Sequence, residues 1–250
     1  MIRIKNQVQI QGIRKSCELL SELFEELGPA VVPGISTGEL DALARKFIES
    51  RGGKPAFLGY YDYPASLCIS INEEVIHGIP GSRTVKPGDL VGIDCGIDLG
   101  GYFSDAAMSV AVPPVSPETE RLSRVTRECL SLAIAAVRPG ARIHDISRAV
   151  FEHAKAAGYG VVRQYCGHGV GLAVHEDPQV PNYVGGGPNP RLAPGMVLAI
   201  EPMINAGGDA VVDLEDGWTV VTEDGSLSAH FEHTVLVTPS GAEVLTRWSA

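Results

Sequence analysis

The sequence has no run of roughly 18 apolar residues, the minimum for a helix that crosses a bilayer. Its longest apolar stretch, Leu130 to Val137, is broken by Ser131 and closed by Arg138-Pro139-Gly140. No apolar segment of signal type follows Met1-Ile2-Arg3-Ile4-Lys5-Asn6, so a cytoplasmic protein is expected. Basic residues are short, 20 against 30 acids, for a formal charge of −10. That balance argues against a surface built to neutralise phosphates, and no specific nucleic acid and no membrane is expected as a partner. Paired cysteines are lacking too. The five, at positions 17, 68, 95, 129 and 166, are odd in number and form no CxxC, which argues against a disulfide framework or a cysteine-type zinc site. They read as reduced, small core residues, with Cys68 set apart below. There is no P-loop, no G-x-S-x-G elbow and no G-x-G-x-x-G, and His175-Glu176 lacks the second histidine of HExxH.

What is present suits a packed α/β (α+β) chain. Hydrophobic residues make up 44% of 250, enough to bury a sizeable core, and 29 glycines with 17 prolines predict short elements joined by tight turns. Apolar residues at Ile10, Ile13, Cys17, Leu20, Phe24 and Leu27 step by threes and fours, predicting a helix stopped at Gly28-Pro29. Ser36 and Glu39 are spaced as a capping box for a second helix through Leu40, Leu43, Phe47 and Ile48 to Gly52-Gly53. A similar pair follows. Ser116-Pro117-Glu118 opens a helix with a stripe at Leu122, Val125, Cys129 and Leu132, and another runs through Ile146, Val150 and Ala154 to Gly158.

The connectors repeat as well. Pro33-Gly34 and Pro139-Gly140 are offset by 106 positions, and Lys86-Pro87-Gly88-Asp89-Leu90-Val91-Gly92-Ile93-Asp94 matches Ala193-Pro194-Gly195-Met196-Val197-Leu198-Ala199-Ile200-Glu201 at an offset of 107. Two matches at nearly one offset imply an internal duplication, with halves near 6–112 and 116–248 inside a single catalytic domain. The repeat pairs Asp94 with Glu201, each an acid at an apolar strand.

Leu90 to Leu99 reads as a strand with Val91, Ile93, Cys95, Ile97 and Leu99 on one face and Asp94 on the other. Gly100-Gly101 is a two-residue hairpin turn, and Tyr102 to Val112 returns. A symmetric turn sets Asp94 against Ala107 and Asp105 against Gly96, leaving the two acids diagonal neighbours about 7–8 Å apart. Two carboxylates on an apolar hairpin must share a proton, find a base or bind a cation, unless that face is open to water. Glu201, Glu232 and the glycine-flanked His168 occupy equally apolar, strand-like settings. One histidine with four carboxylates suits divalent ions of the manganese, iron, cobalt or zinc range. His144 and His153 read as surface positions, and His230 and His233 lean towards structural roles.

Taken in order, Ser70-Ile71-Asn72-Glu73-Glu74-Val75-Ile76-His77-Gly78-Ile79-Pro80, the Asp94/Asp105 hairpin, Gly167-His168-Gly169 with His175, Ile200-Glu201-Pro202 and Phe231-Glu232-His233 resemble type I methionine aminopeptidases of the short bacterial form. The resemblance implies a pita-bread fold: two pseudo-symmetric halves around a curved antiparallel sheet, helices outside. It implies Asp94, Asp105, His168, Glu201 and Glu232 as ligands of two divalent ions, with Glu201 also moving a proton. A metal-bridging hydroxide would then remove methionine from nascent polypeptide N-termini, with a small second residue preferred. His77 and His175 become catalytic non-ligands, and Phe57, Tyr60, Tyr63, Cys68 and Trp218 join them around the methionine side chain. Phe57 and Val174 depart from the usual pocket residues. Asn72 and Ser228 match positions that hold one monovalent cation in relatives. A monomer with transient ribosome contact is expected. The rival readings are an Xaa-Pro peptidase or creatinase-like hydrolase on the same fold, and a metal-free binding homologue.

Overall fold

The protein is described from a computed structural model covering residues 1–248. Helix α1 (Gln7–Ala30) starts at a capping box in which Asn6 accepts from the Gln9 N–H and the Gln9 side chain accepts from the Asn6 N–H. Its predicted stripe from Ile10 to Leu27 is buried. The stop at Gly28-Pro29 is corrected: the helix runs on to Ala30. Pro29 falls in the last turn, where it removes a single donor, and the Val31 N–H closes onto the Gly28 carbonyl at 3.3 Å.

Helix α2 (Thr37–Ser50) carries the expected Ser36–Glu39 box. Helix α3 (Pro117–Ala135) begins with Ser116 accepting from the Thr119 N–H, and α4 (Ile143–Ala156) follows. In α3 the predicted stripe needs one correction. Leu132 is 43% exposed and Ala133 is fully buried instead. After Val125 and Cys129 a step of four keeps to the helix face, whereas a step of three drifts off it.

Strands Leu90–Leu99 and Tyr102–Ala111 pair antiparallel without slip, with Asp94 opposite Ala107 and Gly96 opposite Asp105. The two-residue turn at Gly100-Gly101, both at positive φ, enforces that register. Cys68–Ile71 and Lys54–Pro55 complete this sheet along the Leu90–Leu99 strand. Helix α1 lies over it, and the Ser16 hydroxyl donates to the Ile97 carbonyl at 3.0 Å.

The second half repeats the plan. Its five-stranded sheet runs Gly241–Val244, His233–Thr238, Val197–Ile200, Gly167–Gly169 and Glu176–Val180 in spatial order. Helices α3 and α4 pack together on its outside as α1 and α2 do in the first half. The two sheets join where Glu232 bridges Ala107: the Glu232 N–H donates to the Ala107 carbonyl at 2.9 Å. Nearby, Thr234 Oγ1 donates to the Asp105 carbonyl at 2.7 Å and accepts from the Asp105 N–H at 3.1 Å. These bonds fix the acids of one half against those of the other.

Candidate metal centre and substrate cleft

Asp105 and Glu232 are 3% and 2% exposed, so the alternative of solvated acids on an open face does not hold. His168 Nε2 lies 3.6 Å from Asp105 Oδ2 and 3.6 Å from Glu201 Oε1. Those separations exceed hydrogen bonding, yet they leave the atoms close enough to share one ion. Asp105, His168 and Glu232 each offer a ligand atom within 4.8 Å of the others'. His168 Nδ1–H donates to the Gly169 carbonyl at 2.9 Å, which leaves the Nε2 lone pair free for a metal. Glycine is needed on both sides of this histidine. A Cβ at Gly167 would stand 2.4 Å from the Ala199 carbonyl, and one at Gly169 would stand 2.3 Å from that of Asp177.

Do these residues fit divalent ions? Five buried side-chain polar atoms among the described residues have no hydrogen-bond partner, and four of them belong to Asp94, Asp105, Glu232 and His230. Buried carboxylate oxygens without partners are too unfavourable to persist without a counter-charge. Burial pushes the carboxyl of Asp94 up to about 7, and it holds Asp105, Glu201 and Glu232 well above the ordinary carboxylate range. The neighbouring acids raise the last three further. No lysine or arginine pairs with any of the four among the described residues. Divalent cations would satisfy the set, and the set fits them.

This crowding has a measurable consequence for the metal-free protein. A carboxyl whose pKa is raised on folding lends stability at low pH and loses it as pH climbs through the folded value. His77, His168 and His230 are shifted down to between about 3 and 4 and work the other way, but only below the ordinary histidine value of 6.5. Above that, the carboxyls act alone. With chelator present, Tm falls as pH rises from 6.5 to about 8, and added divalent metal widens its advantage over the same interval. A Tm flat across that window contradicts the buried cluster.

The acids line a cavity of about 200 Å³. Its other walls are Phe57, Tyr60, Tyr63, Cys68, His77, His175 and Trp218, so the expected pocket residues meet at the expected acids. Cys68 stands opposite Asp94 on the adjoining strand, which joins the two regions. Phe57 fits because position 96 is glycine: a Cβ there would lie 2.7 Å from the Phe57 ring. Val174, 5% exposed, packs with Phe57, Tyr63 and Cys68. The Tyr63 hydroxyl lies 3.0 Å from both the Leu67 and Gly78 carbonyls.

His175 is open to the cleft, its ring 4.2 Å from that of His168, with Nδ1 2.9 Å from the Tyr60 hydroxyl. His77 has positive φ (59°), an uncommon state for a non-glycine residue, and stacks edge-on against Tyr165 and Trp218. Tyr165 is itself tied to Asp213 by a 2.6 Å hydrogen bond.

Sequence reasoning missed several residues here. Tyr61, Ile76, Tyr165 and Cys166 also line the cavity. Ile76 and Cys166 adjoin or nearly adjoin motif histidines, and that proximity was the available signal. Cys166 is corrected from core residue to cleft residue, since it is only half-buried, whereas the other four cysteines are buried. His230, ambiguous in the sequence, lies beside the site: its ring faces Glu201, with Nε2 3.7 Å from Oε2. His233 is structural, bonded to Thr246 and packed on Trp248. Asn72 and Ser228 do meet, the Ser228 N–H donating to the Asn72 carbonyl at 2.8 Å. The Asn72 side chain, however, is engaged by Asp89 and the Leu90 N–H. A larger hollow of about 760 Å³ lies alongside, past Cys166, and holds none of the four acids.

Residues 11–239 match metallopeptidase family M24. The methionine aminopeptidase of Treponema pallidum is 56% identical over 98% of this chain and 96% of its own length. The crystal structure of methionine aminopeptidase from Thermotoga maritima superposes with a TM-score of 0.96 at 43% identity, covering 99% of this chain and all of that one. A prolidase from Pyrococcus horikoshii shares the fold at 23% identity and a TM-score of 0.79, and only 64% of its length is covered. No helix of the described residues is long and apolar enough to cross a membrane. The chain belongs to metallopeptidase family M24, within its methionine aminopeptidases, and has their pita-bread fold of two pseudo-symmetric halves.

Proposed function

We propose that this protein removes the N-terminal methionine from nascent polypeptides and peptides, preferring a small second residue, as a metal-dependent exopeptidase. The observation that carries the reading is the buried, unpartnered carboxylate cluster opening directly into an aromatic, sulfur-lined cavity of about 200 Å³. An unbranched, polarisable methionine side chain suits such walls.

Asp94, Asp105, His168, Glu201 and Glu232 hold two divalent ions of the manganese, iron, cobalt or zinc range. When bound, those ions lower the pKa of water and polarise the scissile carbonyl. The residues then divide the remaining work. Glu201, one of the acids that line the cavity, takes the proton from the attacking water. With the Tyr60 hydroxyl 2.9 Å from His175 Nδ1, the tautomer that accepts the phenol proton at Nδ1 carries its own proton on Nε2, free to donate to the developing oxyanion. His77, kept neutral by burial with a pKa near 4, contacts the scissile amide and helps the departing nitrogen gain its proton. Phe57, Tyr63, Cys68 and Trp218 exclude water from the methionine side chain.

The chain acts as one catalytic domain with halves near 6–112 and 116–248, as a cytoplasmic monomer that meets the ribosome transiently. A monovalent cation near Asn72 and Ser228 would have to use main-chain oxygen and the Ser228 hydroxyl, since the Asn72 side chain is engaged.

The test is methionine release from Met-Ala-Ser by chelator-stripped protein titrated with manganese or cobalt, beside Ala-Pro-Ser. Release of methionine that depends on metal, with the control intact, is the expected result. Cleavage of Ala-Pro-Ser instead moves the protein to the Xaa-Pro reading, and no cleavage despite bound metal withdraws the peptidase assignment.

A further inference from the structure

Of the five buried side-chain polar atoms without a hydrogen-bond partner among the described residues, one is a nitrogen. His230 is 4% exposed and its Nε2 has no hydrogen-bond partner. Its backbone is fixed on both sides: the N–H donates to Ser109 Oγ at 3.0 Å, and that hydroxyl donates back to the His230 carbonyl at 2.9 Å. Strand pairing sets it opposite Met203, two residues beyond Glu201. The ring thereby faces the Glu201 carboxylate, with Nε2 3.7 Å from Oε2.

Glu201 thus sits between two imidazoles that face different oxygens. Oε1 looks to His168 Nε2 at 3.6 Å, and Oε2 looks to His230 Nε2 at 3.7 Å. The two rings differ in one respect. His168 has its proton engaged at Nδ1 by the Gly169 carbonyl, so its Nε2 offers a lone pair. Among the described residues nothing engages His230 Nδ1, so its Nε2 can carry the proton. A neutral imidazole facing a carboxylate is a donor, and closing the gap by about 0.8 Å brings it to ordinary hydrogen-bond length.

We propose that His230 is a positioning residue for the metal centre, its Nε2–H donating to Glu201 Oε2 so that Oε1 is the oxygen presented on the His168 side. The inference rests on the metal-centre reading above. Outer partners of this kind orient a ligating carboxylate and hold it on one rotamer. Without the donor, Glu201 can turn, and the binding site loses a fixed ligand although all five ligand residues remain.

The experiment compares metal-stripped wild type, H230Q and H230L by cobalt(II) titration. Affinity comes from chelator competition, ligand geometry from the visible cobalt spectrum, and folding from the Tm of the metal-free forms. Glutamine carries an N–H donor of similar reach, whereas leucine fills space without one. H230L should bind cobalt(II) about 10- to 100-fold more weakly with a changed spectrum, and H230Q should stay within about threefold of wild type. A wild-type affinity and spectrum in H230L overturns the proposal. So does an H230Q variant tenfold or more weaker than wild type, which would make the imidazole nitrogen itself a ligand; this arm decides alone if H230L does not fold. Wild type that binds no cobalt(II) at all would instead remove the metal-centre reading and leave this one without a basis.

Discussion

Asp105→Asn abolishes hydrolysis and metal retention together. Asp105 is 3% exposed and sits where the two halves meet, its main chain clamped by Thr234 and its Oδ2 facing His168. An amide keeps the shape but removes the charge and one of the anionic donor oxygens. Loss of a mere outer partner costs about 10- to 100-fold in metal affinity or activity, and loss of a central ligand should exceed that. We expect metal content well below one ion per chain after dialysis and kcat/KM down by more than about a thousandfold. The same substitution has an opposite effect on the empty protein. It takes one charge out of a buried cluster of four, so the chelator-treated variant should melt higher than wild type above neutral pH. These two readouts separate loss of a ligand from loss of the fold. A variant that keeps full metal and full turnover contradicts the ligand assignment.

His175→Ala lowers kcat by on the order of 10²- to 10³-fold, with metal content unchanged and KM within a few-fold. The ring is exposed to the cleft and packs against His168 without sharing its ligand contacts. Its removal should therefore leave the acids in place. The effect falls on kcat because the Nε2 proton meets charge that develops only as the tetrahedral species forms. Tyr60→Phe tests the same idea through the partner that fixes the tautomer. Unaltered turnover in His175→Ala, with methionine still released, would take the oxyanion role away from this residue.

Several features of this protein were open to reading because they depend on contacts within a few residues. The Ser36–Glu39 and Ser116–Thr119 caps are bonds between residues three apart, so their type and spacing suffice. The hairpin register followed from a two-residue glycine turn and strict alternation, since a slip of one would move Val91, Ile93, Cys95 and Ile97 out of the core. Motif resemblance added the five ligand candidates and the pocket residues in advance.

Local signals also misled in two places. Gly28-Pro29 reads as a stop, yet a proline in the last turn forfeits only one bond, and α1 continues to Ala30. Leu132 satisfied a three-residue step but left the buried face of α3, because that face is set by what α3 packs on.

By itself, then, the sequence determined the four helices, the repeated connectors, the hairpin register and the residue types at the site. Tertiary structure alone decided which of them converge. Asp105, His168 and Glu232 are far apart along the chain, and contacts between separate strands, among them the Glu232–Ala107 bridge and the Thr234–Asp105 bonds, bring them into one cluster. It also turned His230 towards Glu201, placed Cys166 in the cleft and fitted Phe57 over Gly96. Short-range hydrogen bonds and periodic burial are written in neighbouring residues. The facing of side chains from separate strands depends on how whole sheets twist and pack, and no local pattern encodes that.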